Sequence, residues 1–137
     1  MSQPFWLSKV AILAIHGRLL AEHGGASGLR DESLLESALA APLNHFEYDQ
    51  ADVFVLASTY AHALTNNPPF VEGNKRTACA VAGGFLELNG YRLTASEPDA
   101  VLAVLALSRG EMNAEDFCKW LRISSIPLSE VESGESE

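Results

Sequence analysis

Between Asn67 and Thr77 the chain reads Asn-Pro-Pro-Phe-Val-Glu-Gly-Asn-Lys-Arg-Thr. The two prolines end any helix that precedes them, and the apolar residues recurring at helical spacing after Asn74 make this segment a loop feeding a helix N-terminus. Such a terminus presents unpaired N–H groups and the positive end of the backbone dipole, and Gly73 lets the backbone approach an anion closely. Lys75 and Arg76 add two cations in a first turn where the dipole favours Asp or Glu. A phosphate chain resolves that conflict, because Arg forks onto phosphate oxygens and Lys supplies a compact charge. Glu72, the acid of the loop, is suited to a magnesium ion that bridges those phosphates, since magnesium takes one or two carboxylates together with phosphate oxygens. Phe70, a large apolar side chain in a polar loop, should plug the core between the helices on either side. The plain alternative is a solvated, charged helix start with no ligand.

The elements that must position this loop are helical. Trp6 to His23 carries an apolar stripe through Val10, Leu13 and Leu20, with Ser8 as N-cap and Gly24-Gly25 as the stop. After the loop Ser27–Asp31, Asp31 caps a second helix over Glu32 to Ala41, which Pro42 should end, leaving Asn44 to Gln50 as an irregular connection. Asp52 caps a third helix through Phe54, Leu56, Ala57, Tyr60, Ala61 and Leu64. The fourth begins near Asn74 and runs through Ala78, Val81, Ala82, Phe85 and Leu88 to Asn89-Gly90, and its Ala, Gly and Cys content suggests a central helix that neighbours approach closely. Tyr91 to Thr94 is short and extended. Ser96, with Glu97-Pro98-Asp99, starts a fifth helix over Ala100 to Ser108, and Asn113 with Asp116 caps a sixth through Phe117, Trp120 and Leu121. The sum is an all-α bundle of about six helices around the fourth, a single domain over residues 1–125, with residues 126–137 as an acidic tail that has little to bury.

Outside its loop the chain offers little to polyanions. With 9 Lys and Arg against 18 Asp and Glu, the formal charge of −9 disfavours a general nucleic-acid binder, so a phosphate site must be local. Cys79 and Cys118 are too few and too far apart for a disulfide framework or a zinc site, which points to a reducing cytoplasm. Met1–Ser8 does not resemble a signal peptide, and no apolar run approaches the roughly 18 residues of a membrane span.

The run Phe70-Val71-Glu72-Gly73-Asn74-Lys75-Arg76-Thr77 resembles the signature loop of the Fic/Doc family, His-x-Phe-x-Asp/Glu-Gly/Ala-Asn-Lys/Gly-Arg. Gly24-Gly25 with Gly28-Leu29-Arg30-Asp31, Leu34-Leu35-Glu36-Ser37-Ala38, and Phe85-Leu86-x-Leu88-Asn89-Gly90 extend the resemblance to the death-on-curing branch. The resemblance implies that Phe70 anchors the loop and Glu72 coordinates Mg2+ on the nucleotide. It also implies that Gly73 and Asn74 build an anion nest, with Thr77 beside it, while Arg76 grips phosphate. Lys75, and Cys79 where AMP-transferring members carry a second Arg, match the branch that is thought to transfer the terminal phosphate of ATP. The departure is Pro68, which stands where the family has the histidine that serves as general base on an acceptor hydroxyl. Proline has no proton-accepting side chain. His62, on the preceding helix, is a candidate substitute, but His16, His23, His45 and His62 all read more simply as ordinary core or surface imidazoles.

The expectation is therefore the toxin half of a toxin–antitoxin module, a phosphotransferase modifying a Ser or Thr hydroxyl on a translation-machinery protein such as an elongation factor, and inactive as written. The alternatives are a degenerate relative that binds nucleotide or a partner protein without transfer, and an AMP-transferring member. The resemblance also implies a small antitoxin. Some relatives carry an inhibitory Ser/Thr-x-x-x-Glu-Gly/Asn segment in the chain itself, but Ser129-Glu130-Val131-Glu132-Ser133-Gly134 has Ser133 where the Glu belongs, so inhibition in trans is favoured.

Overall fold

The computed structural model describes residues 3–129. Within them lie α1 (Lys9–His23), α2 (Glu32–Asp49), α3 (Val53–Asn66), α4 (Asn74–Leu88), β1 (Tyr91–Leu93), α5 (Glu97–Ser108), α6 (Ala114–Ile123) and β2 (Ser125–Pro127). The helices begin where the sequence supplies side-chain oxygens. Ser8, Asp31, Asp52, Ser96 and Asn113 each accept a backbone N–H in the first turn of the helix they precede. The start of α4 is different: Gly73 stands at its N-cap and makes no side-chain capping bond.

α4 packs against α1, α3, α5 and β1, which makes it the central helix that the sequence suggests. Its buried face of Thr77, Ala78, Val81, Ala82, Phe85 and Leu86 meets Leu56, Tyr60, Ala61 and Leu64 of α3. The close approach comes from the alanines. Gly83 and Gly84, expected to contribute, do not: an added Cβ would meet Leu93 at 3.8 Å in the first case and nothing within 4 Å in the second. Trp6 covers one end of the core, its ring 5.8 Å from Phe46 and 6.0 Å from Phe85. Burial pushes the Tyr60 hydroxyl above its ordinary pKa, and its oxygen accepts the Leu7 N–H at 3.3 Å.

The second helix does not stop at Pro42. It continues to Asp49, so the irregular connection expected over Asn44 to Gln50 is mostly helix. A mid-helix proline forfeits one backbone bond and costs about 3 kcal/mol in an unsupported helix. Here Leu35, Ala38, Pro42 and Phe46 form one buried stripe, and packing of the turn beyond the proline offsets that loss. Gln50, with φ of 51°, closes the helix in the left-handed region as its N–H reaches the Phe46 carbonyl at 2.9 Å. The fifth helix also starts earlier than Ala100, at Glu97, because proline is tolerated in a first turn.

The chain after α6 is structured past the expected boundary at residue 125. Tyr91 pairs with Pro127, Arg92 with Ile126 and Leu93 with Ser125, antiparallel, and the Leu128 N–H reaches the Gly90 carbonyl at 2.9 Å. The rest of the expected tail, residues 130–137, and with it most of the Ser129–Gly134 comparison, lies outside the described residues. No helix among the described residues is long and apolar enough to cross a membrane.

Asp52 joins two parts of this bundle. Its Oδ1 accepts the Phe54 and Val55 N–H groups at 3.0 Å each, and its Oδ2 accepts Arg122 Nη2 of α6 at 3.0 Å. The guanidinium also lies 4.9 Å above the Phe54 ring. Replacing Asp52 by Ala should cost about 1–2 kcal/mol, mostly from the lost cap because the ion pair is half exposed, and chemical denaturation with unchanged m-value would measure it.

Candidate functional site

The loop before α4 is held from three directions. From inside, Phe70 is 1% exposed and its ring stacks on His16 of α1, with centroids 3.7 Å apart and planes 9° from parallel. From its own chain, the Asn74 side chain closes a two-sided clamp: the Phe70 N–H donates to Oδ1 at 3.0 Å, and Nδ2 donates to the Phe70 carbonyl at 2.9 Å. From the α1–α2 connection, residues 28–31 run alongside 68–71. The Arg30 and Asp31 N–H groups donate to the Pro69 carbonyl at 2.7 and 3.1 Å, and the Val71 N–H donates to Gly28 at 3.1 Å. The Arg30 guanidinium donates through Nε, at 3.1 Å, and through Nη2 to the carbonyl of Pro68.

With the loop fixed, Gly73 turns through φ of 82° and ψ of 15°. That left-handed geometry is costly for a residue with a side chain. A Cβ there would also come 3.4 Å from the Leu20 side chain and 3.5 Å from His16 Nε2. His16 completes the turn by hydrogen bonding the Glu72 carbonyl through Nε2 at 2.8 Å, so that nitrogen carries the proton.

Glu72 is exposed, and its Oε2 accepts the Ala26 N–H at 3.2 Å. A Cβ on Gly25 would lie 2.8 Å from that oxygen, which explains the second glycine of the pair that ends α1. Oε1 makes no hydrogen bond among the described residues, and no group of three metal-ligating side chains occurs among them. A single carboxylate with one open oxygen fits magnesium carried on a phosphate chain rather than a metal held by protein alone.

Arg76 lines a cleft of about 270 Å3 together with Leu19, Leu20, His23, Gly24, Glu72 and Gly73. Its Nη1 lies 3.6 Å from Glu97 Oε1 and 3.4 Å from His23 Nε2. Lys75 is exposed and pairs with no carboxylate among the described residues. A larger concavity of about 660 Å3 lies between the N-terminal segment and the α2–α3 junction, but the residues lining it include no Lys, Arg or His. Of the two, the smaller cleft is the one that carries a guanidinium and an imidazole.

The sequence-predicted residues thus divide. Glu72, Gly73 and Arg76 line one cleft. Asn74 contributes its side chain to the loop clamp, leaving its backbone N–H at the uncapped helix start. Thr77, expected beside the nucleotide, is fully buried with an unpartnered Oγ1, so its side chain is no part of a ligand surface. Pro68 is half-buried at the loop's first turn, and His62 is exposed on α3. His45 pairs elsewhere, with Thr59 Oγ1 at 3.2 Å and Asp49 Oδ2 at 3.3 Å. His16 and His23, read as ordinary imidazoles, both face the loop. Their signal was their separation of seven residues, two helical turns on one face of α1. The tether from Arg30 carried no local signal, because it joins segments distant in sequence.

A family model described as Fic/DOC family matches residues 6–86. The chain is 29% identical over 117 residues to the protein of Escherichia phage P1 named protein kinase doc, which spans 85% of this chain and 92% of that one. It is 37% identical over 81 residues to the protein of Mycolicibacterium smegmatis named toxin Doc, covering 53% of this chain and 57% of the other.

Two outcomes test this geometry. Phe70→Ala should destabilise the fold by about 3–5 kcal/mol, measured by denaturation, since a fully buried aromatic is removed. Burial first, and Glu97 second, push the Cys79 thiol up to about 11, against a smaller opposing effect of Arg76. Its alkylation by iodoacetamide should therefore stay slow at pH 8 in the folded protein and accelerate only as the pH nears that value or the protein unfolds.

Proposed function

The chain belongs to the Fic/Doc family, on its Doc-like branch, and from that premise we propose that it is the toxin component of a toxin–antitoxin module. The observation that carries this reading is the α4 terminus. It is uncapped by any side chain, entered through a left-handed glycine, and followed directly by Lys75 and Arg76. Five other helices of the bundle fill that position with a side-chain oxygen, which is what an anion oxygen would replace here.

In this reading the ligand is ATP with magnesium, which supplies an activated terminal phosphoryl group. Gly73 and the first N–H groups of α4 receive phosphate oxygens, Arg76 forks onto them, and Lys75 adds charge from the exposed side of the first turn. Glu72 holds the metal through its open oxygen. His16 and Asn74 keep the backbone donors aimed without touching the ligand, so that little reorganisation is needed when charge develops. The acceptor is a Ser or Thr hydroxyl on a protein of the translation machinery, reached in the cytoplasm, and a small antitoxin binds in trans. The names of the relatives, a protein kinase and a toxin, support the transfer of phosphate and the toxin role.

Pro68 favours a second reading for the chain as it stands, namely nucleotide or partner binding without transfer. It cannot take a proton from the acceptor, and loss of a general base costs about 10²–10⁴-fold in rate. Its contact with Arg30 runs through the backbone carbonyl, which any residue supplies, and Pro69 holds position 68 extended whatever its side chain.

The discriminating variant is Pro68→His. It should transfer label from terminally labelled ATP to a protein in cell extract and arrest growth when expressed without an antitoxin, whereas the parent does neither. A folded Pro68→His protein that labels nothing, with either terminal or α-labelled ATP, would replace the enzyme reading by the binding one. Label moving only from the α-position would assign AMP transfer instead.

A further inference from the structure

Arg76 is already engaged by two side chains from different helices. Glu97 of α5 lies 3.6 Å from its Nη1, and His23, the last residue of α1, lies 3.4 Å from the same nitrogen through Nε2. His23 Nε2 is in turn 4.0 Å from Glu97 Oε1 and 3.8 Å from Glu22 Oε2. A guanidinium only donates, so this contact is a hydrogen bond in the tautomer whose Nε2 presents a lone pair and whose proton sits on Nδ1. His23 thus acts as an acceptor for Arg76 at the wall of the cleft that Glu72 and Gly73 also line.

We infer that His23 is a second cation of the phosphate site, recruited by proton uptake when the anion binds, and that Glu97 is the counter-charge the anion displaces. This rests on the reading of that cleft as the nucleotide's phosphate site. A phosphate chain competes with Glu97 for the guanidinium, and as Arg76 turns to it the lone pair on His23 Nε2 loses its donor. That nitrogen then takes a proton from solvent and donates to a phosphate oxygen. The bonds lost are the Arg76–Glu97 pair and the Arg76–His23 hydrogen bond, and those gained are Arg76 and His23 to the anion. No proton leaves the ligand.

The groups facing His23 set the sign. Glu22 on α1, Glu97 on α5 and Glu72 on the loop favour the imidazolium, while Arg76 on α4 and Arg18 on α1 oppose it. Cys79 stays a neutral thiol because burial pushes it up to about 11. An added polyanion shifts this balance toward the protonated ring, which for imidazole falls within reach of neutral pH. Binding should therefore tighten as pH falls from 8 to 6.

Calorimetric titration of ATP with magnesium in excess, repeated in buffers of different protonation heat, tests this. Excess magnesium keeps the terminal phosphate ionised over the range, so proton uptake reports on the protein. The parent chain should take up a fraction of one proton at pH 7 and bind roughly five- to tenfold tighter at pH 6 than at pH 8, as partial protonation of a single group allows. His23→Gln should lose both effects and bind severalfold weaker at pH 6. His23→Lys, a permanent cation, should bind tightly without the pH dependence. Glu97→Gln should bind tighter than the parent at every pH. If His23→Gln keeps the parent's affinity and proton uptake while Arg76→Ala loses binding, the inference is overturned and the phosphate site stands. If neither the parent nor Arg76→Ala binds, both fall together. The imidazole proton resonances of His23, followed by NMR with and without ATP, should show its titration moving upward on binding, and an unmoved titration would also overturn the inference.

Discussion

The stacking of Phe70 on His16 is the contact on which the site depends. Phe70 holds the loop to the core, and the ring it meets belongs to a residue whose other task is to hydrogen bond the Glu72 carbonyl. One imidazole therefore ties α1, the aromatic anchor and the peptide before Gly73 into a single unit. Asn74 closes the other side by bonding both polar groups of the Phe70 backbone. Gly73 is thus fixed in a left-handed turn, and α4 begins with no side-chain cap on its N-terminal N–H groups. Without that unit the loop's two prolines would still end α3, but nothing would define where α4 starts.

The charges follow from the same geometry. Two basic side chains in the first turn oppose the helix dipole, an arrangement a structural helix would avoid. Each finds a different resolution. Lys75 stays in solvent, whereas Arg76 folds back to Glu97, whose own position in the first turn of α5 is favourable to an acid. The pair is surface-exposed, so it contributes little to stability and can be exchanged for a stronger anion at small cost. A weak internal partner keeps the guanidinium oriented without committing it. A buried, well-paired Arg76 would resist that exchange.

Most of the helices could be read from the sequence, because their starts are marked by oxygen-bearing caps and their buried faces by spacing. The failure at α2 shows where local rules lose authority. Pro42 ends a helix considered alone, yet Phe46 one turn later belongs to the same stripe and packs on Trp6, a contact no local reading contains. The β1–β2 pair was missed at its second strand for a related reason: Ser125–Pro127 gains its partners from residues 91–93. At the site, the loop motif singled out Glu72, Gly73 and Arg76, which the fold brings to one cleft, since their chemistry is written in residue type. It also named Thr77, whose side chain is buried, an outcome that depends on how α4 is rotated in the bundle. It left out Arg30, His16 and His23, which reach the loop only through the fold.

Pro68 can then be understood by separating what the position does through its backbone from what it does through its side chain. Its carbonyl receives the Arg30 guanidinium, and the next carbonyl, of Pro69, receives two N–H groups from residues 30 and 31. These contacts hold the entrance of the loop against the α1–α2 connection and are indifferent to the side chain at position 68. Proline satisfies them with a fixed φ and no N–H of its own to place. The segment from Glu72 to Arg76, proposed to receive phosphate, is held by Phe70, His16 and Asn74, which lie beyond that entrance. In the proposed reading, a side chain at position 68 that cannot accept a proton therefore removes one chemical function while leaving the supports of the Glu72–Arg76 segment in place. On that reading, ligand binding and transfer would be separable properties of neighbouring residues, because the first rests on the fold around α4 and the second on a single side chain before it.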